Sequence, residues 1–139
     1  MSYPAQPWLD ARNKLPGTAP IKQIDTDKKI PGSDFETYHD CLPPAFINAA
    51  DTLQKRLATW GASSPQFTEW LCGQDPVFEN CSGGPSMPAR LPQAGTLLAA
   101  DREYQIAAAE FYAAQFDSAE ADFDRIAADA SSPWRDISA

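Results

Sequence analysis

No run of about 18 apolar residues occurs in this 139-residue chain, which excludes an ordinary membrane-spanning helix. Histidine occurs once, at His39. There is no CxxC, no CxxCH and no Cys/His cluster, so neither a zinc site nor covalent haem attachment has its ligands. Bases are scarce where acids are dense: residues 99–139 carry nine acids against three arginines, whereas residues 1–61 carry seven of each. An acidic C-terminal half repels phosphate backbones, so no nucleic acid is expected as a partner. The opening MSYPAQPWLDARN lacks the basic n-region and apolar h-region of a signal peptide. Ser82-Gly83-Gly84-Pro85 has no Gly-Lys-Ser/Thr ending and no preceding strand pattern, so it reads as a connector and not a phosphate cradle.

Proline is abundant, at 13 residues clustered in 1–44 and 76–92. Extended connectors are therefore expected between ordered helices. Apolar residues make up 43% of the chain and include four Trp and seven Phe, enough for one core. Residues 1–42 read as an irregular Pro-rich arm, which Trp8, Ile21, Ile24, Ile30 and Phe35 pin onto a helical body. Residues 43–139 read as the helical domain. Its first helix starts at Pro43-Pro44, carries Phe46, Ala49, Leu53, Leu57 and Trp60 on one face, and stops at Gly61. A second starts at Ser64-Pro65 and buries Phe67, Trp70 and Leu71, with a kink or restart expected at Pro76. After a connector at 82–95, a third helix near 97–113 places Asp101 and Arg102 in water. A fourth near 117–129 is capped by Asp117 or Ser118 and turns Ala119, Phe123, Ile126 and Ala127 inward. Ser131-Ser132-Pro133-Trp134 opens one more turn, as the start of a next helix in a longer chain. The fold class is all-α, in antiparallel helix pairs at 43–81 and 97–129.

Chemistry-bearing constellations are weak. Tyr38-His39-Asp40-Cys41 sets the histidine beside an acid and a thiol, but catalytic partners meet through folding, and adjacent residues in an extended segment diverge. Asp117, Glu120, Asp122 and Asp124 lack the glycine turn of a calcium loop and fall round a helix. Glu69, Asp75 and Glu79 have no feature marking a glycosidase pair. The chain is therefore expected not to be an enzyme and to need no cofactor or metal. The aromatics Trp8, Phe111, Tyr112, Phe116 and Trp134 are the candidate interface residues. The three cysteines, Cys41, Cys72 and Cys81, fit one disulfide plus one thiol in an oxidising compartment. Cys41 and Cys81, at the outer ends of the first helix pair, are the better-placed couple. Spacing alone leaves the pairing open.

The run from Phe116 through Ala119 and Phe123 to Pro133 resembles the large-small-large-Pro order of a tetratricopeptide repeat, with Ala107 at the small position of the first helix. Phe111 and Pro133 fall late for that motif, and Ala114 stands where it has glycine. Over a longer span, Asp40-Cys41-Leu42 and Asn80-Cys81-Ser82-Gly83-Gly84, followed by the helices after residue 97, resemble the N-terminal part of large bacterial helical-repeat proteins of tetratricopeptide-like type. The resemblance implies a Cys41–Cys81 pairing, leaves Cys72 as the odd thiol, and implies continuation beyond Trp134-Arg135. It implies architecture and no activity. The expected function is that of a non-catalytic protein-interaction or scaffold segment of a larger periplasmic or other cell-envelope protein. Its partner would be a protein, a peptide or the C-terminal remainder of the same chain. The alternative is a structural N-terminal cap of a helical solenoid whose enzymatic activity, on the cell wall for instance, resides elsewhere or in another subunit.

Overall fold

The computed structural model describes residues 5–15, 27–29, 38–41, 43–82, 85–91 and 96–138. The regular secondary structure among these residues is helical apart from one short β ladder. The elements in chain order are α1 (Gln6–Asn13), β1 (Asp27–Lys29), β2 (Tyr38–Asp40), α2 (Pro43–Trp60), α3 (Pro65–Ser82), α4 (Leu97–Tyr112), α5 (Phe116–Ala128) and α6 (Arg135–Ser138). β1 and β2 pair antiparallel, with Lys28 opposite His39. Ile21, Ile24, Ile30 and Phe35, the expected anchors of the arm, lie outside the described residues, as do Gly83 and Gly84 of the connector.

The arm, expected to be irregular, carries a helix at Gln6–Asn13. Pro7 sits in the first turn of α1, where a missing N–H costs nothing. Trp8 is fully buried against Trp70 and Phe78, with ring centroids 6.1 and 5.5 Å away. Among the described residues its indole N–H has no hydrogen-bond partner. One turn on, Arg12 donates to both carboxylate oxygens of Asp75 on α3 at 2.8–3.3 Å. α1 thus packs on the α2–α3 pair.

α2 forms as its periodicity requires: Phe46, Ala49 and Leu53 are buried on one face. Gly61 ends it at φ +83°, donating its N–H to Leu57 O at 2.8 Å. Ser64 then caps α3, its Oγ accepting from Phe67 N at 3.1 Å. α3 runs through Pro76 as one continuous helix, so the restart that the proline allows does not occur. Val77 and Phe78, buried just beyond the proline, contribute roughly 1.5–3 kcal/mol each, enough to offset the cost of about 3 kcal/mol for an interior proline. The far end is tied down twice. Cys81 is disulfide-bonded to Cys41, with Cα atoms 6.0 Å apart. Asn80, fully buried, donates to Ser86 O at 2.7 Å and accepts from Ser86 N at 2.8 Å, clamping the start of the connector.

α4 is the central helix. Thr96 caps it by accepting from Ala99 N at 3.0 Å. One side packs on α3 and the other on α5, so two cores share it. Ala109 belongs to the larger core, with Trp8, Phe46, Leu53, Trp70 and Phe78. Ala107 belongs to a smaller one, with Ile126 and Trp134. This position overturns the expectation that Asp101 and Arg102 face water, since they are only 1% and 2% exposed. The α4–α5 turn is a Schellman closure, in which Gln115 N donates to Glu110 O and Ala114 N to Phe111 O. Ala114 holds φ +64° there. α5 begins one residue earlier than expected, and its N-cap is Gln115 with no side-chain cap, not Asp117 or Ser118.

Candidate functional site

Two polar clusters fix the α4 surfaces. Asp101 Oδ2 accepts from Arg56 Nε at 2.6 Å, and Asp101 Oδ1 accepts from Arg56 Nη2 at 2.9 Å and from Trp134 Nε1 at 2.8 Å. One carboxylate therefore joins α2, α4 and the segment before α6. A buried charge is tolerated when paired and fully hydrogen-bonded, as this one is. On the adjoining side, Arg102 donates to Ala89 O, to Glu69 O and Oε1, and to Gln105 Oε1 at 2.6–3.1 Å. Gln105 in turn donates to Trp70 O at 3.1 Å. Gly73 leaves room for this cluster: a Cβ there would fall 2.5 Å from Arg102 Nε and closer still to Gln105 Oε1.

The Asp101 bond orients Trp134, whose ring stacks on Tyr104 with centroids 4.2 Å apart. Phe123 of α5 meets Tyr104 edge-on at 6.0 Å. These rings support an open groove, 510 Å³ in volume, between α4, α5 and α6. Its apolar lining is Tyr104, Phe111, Phe116, Ala119, Phe123 and Ile137, and Glu120 and Asp124 stand along it. Phe111, Phe116 and Ile137 are 45%, 48% and 55% exposed. Ser138, also in the lining, has its Oγ buried without a hydrogen-bond partner. Burial raises the Tyr104 phenol above its usual value, and burial with Tyr104 nearby raises Tyr112 further. Both stay neutral at ordinary pH and offer no base.

The candidate interface residues divide. Phe111 and Phe116 come together, with centroids 5.5 Å apart, at the edge of the groove. Tyr112 is half-buried and lines a separate small cavity of 30 Å³ between α2, α3 and α4. Trp8 and Trp134 are buried and present no free surface: Trp8 pins the start of the arm, in line with its other reading from the sequence, and Trp134 folds back on α4. Cys72 is an exposed free thiol at a 160 Å³ hollow beside the Arg12–Asp75 pair.

Of the acids considered for catalysis, Glu69 pairs with Arg102 and Asp75 with Arg12. Asp122 is held by Arg125 and by Arg90. No group of three or more His, Cys, Asp or Glu suited to a metal occurs among the described residues. Sequence reasoning missed Ile137 and the Asp101–Arg56–Trp134 cluster. The available signal was α4 itself: alanines on every face mark a helix covered on both sides, whose polar residues must then be paired inside. No protein-family model matches the chain, and no curated protein or solved structure matches it significantly.

Proposed function

We propose that this chain is a non-catalytic protein-interaction segment of a larger bacterial envelope protein, and that it binds a polypeptide in the α4–α6 groove. The observation that carries this reading is the apolar lining held open to solvent. Phe111, Phe116 and Ile137 are each more than a third exposed beside the buried Tyr104–Trp134 stack. Apolar surface of that kind, rimmed by charge, is what interaction sites present. The Cys41–Cys81 disulfide favours an oxidising compartment such as the periplasm. Among the described residues no helix is long and apolar enough to cross a membrane.

A photo-crosslinking residue at position 116, compared with one at the exposed Gln54 of α2, tests this in intact envelopes. Cross-links to another polypeptide from position 116 and not from 54 are expected. Self-association alone, or equal capture from both positions, would overturn the reading.

A second reading is favoured by the packing order. α3, α4, α5 and α6 each pack on the next, as nearest neighbours do in a solenoid. The chain would then be a structural cap whose companion activity, on a cell-wall glycan for instance, resides elsewhere in the protein or in another subunit. Glycan turnover by the full-length protein but not by this segment would favour that reading.

A further inference from the structure

We infer that the groove selects a basic amphipathic helix, an inference that rests on the groove being a protein-binding surface. α5 presents two parallel rows along it. Phe116, Ala119 and Phe123, at i, i+3 and i+7, form an apolar row. Asp117, Glu120 and Asp124 form an acidic row one position on, and all three are exposed. The rows extend over two helical turns, about 11 Å at 1.5 Å per residue. A partner helix laid along them meets apolar anchors on one side and carboxylates at the same helical spacing on the other. Its complement is an apolar stripe at i, i+3 or i+4, and i+7, with Lys or Arg one position off the stripe.

The charge balance excludes the simplest alternative occupant. The whole chain carries a formal net charge of −8, so a second copy would bring acid against acid along the same row. Arg125, the one base on α5, is already engaged by Asp122 on another face. Ser138 Oγ, buried in the groove lining and without a partner, gains one if the occupant brings a polar group there.

The test uses the intact, disulfide-bonded chain and three labelled helical peptides: Leu at i, i+3, i+4 and i+7 with flanking Lys, the same with Glu for Lys, and the Lys peptide with Ser for Leu. Fluorescence anisotropy should detect the first alone, with affinity falling as salt rises. Phe116→Ala should weaken it by about tenfold. Ile137→Ser, on the opposite wall, should weaken it independently, and circular dichroism confirms that each variant is folded. The paired change Glu120→Lys with Asp124→Lys should shift the preference to the Glu peptide.

Equal binding of Lys and Glu peptides, still lost in Phe116→Ala, would overturn the charge selection and leave the protein-binding groove standing. Binding of no peptide would overturn the inference, and the crosslinks from position 116 then decide the groove by themselves. Concentration-dependent dimerisation abolished by Phe116→Ala would overturn it in favour of a second copy.

Discussion

Ala114 occupies the left-handed position of the α4–α5 turn, at φ +64°, where a Cβ crowds the neighbouring carbonyl and the conformation costs about 1–2 kcal/mol. Glycine avoids most of that cost, less what it loses in the unfolded chain. Ala114→Gly should therefore stabilise the protein by about 0.5–1 kcal/mol, read as a rise of a few degrees in the melting midpoint. Glu110 poses the reverse case. Burial raises its carboxyl pKa, against the opposing pull of Arg90 and Arg125, and its Oε1 has no hydrogen-bond partner. The folded protein therefore keeps this proton to higher pH than the unfolded chain does. Stability from this group is full below the unfolded value and falls as pH rises through the window up to the folded one. Glu110→Gln should remove that dependence: similar stability to the parent in acid, greater stability at neutral pH, measured by urea unfolding at both. Neither prediction is readable from residue type alone. The absence of the usual turn glycine at 114 is visible in the sequence, but that the chain would accept the strain is not. Glu110 looks like any surface acid until α5 and the connector residue Arg90 are placed around it.

At the scale of elements, caps and apolar periods carried most of the information. Ser64-Pro65, Gly61 and the Phe46-Ala49-Leu53 face each specify their own boundary locally, and the helices start and stop there. α3 departs from local logic because its continuation past Pro76 depends on tertiary burial of Val77 and Phe78 and on the clamp at Asn80. Pro76→Ala should restore the missing backbone donor and raise stability by about 1–3 kcal/mol, seen as a higher urea midpoint with an unchanged slope. α1 escaped a local reading for a related reason. An eight-residue helix is marginal by itself and exists here because Trp8 and Arg12 find partners far away in sequence. The groove was half legible. Phe111 and Phe116 stood out as aromatics beside the turn, whereas Ile137 joins them only because Trp134 folds back to Asp101 and carries α6 with it.

At the scale of the whole molecule, α4 holds two unequal cores together and the disulfide braces the larger one. The Cys41–Cys81 link spans 40 residues, and closing a loop of that length stabilises by about 4 kcal/mol on the chain-entropy account. That is a large share of the roughly 5–15 kcal/mol available to a domain of this kind. Reduction should lower the melting midpoint markedly, and the effect should be absent in a Cys41→Ser, Cys81→Ser chain, which starts at the lower value. Cys72, outside the bridge and exposed, should react with a thiol reagent before any unfolding.

The same bond makes a closed covalent ring of α2, α3 and the turn between them. Gly61, Ala62 and Ser63 at the tip of that ring are exposed, where a protease reaches most readily. A single cut at that tip opens the ring without dividing the chain. The nicked protein would run as one species on a non-reducing gel and separate into two only after thiol treatment. A protease that nicks this hairpin therefore releases neither half.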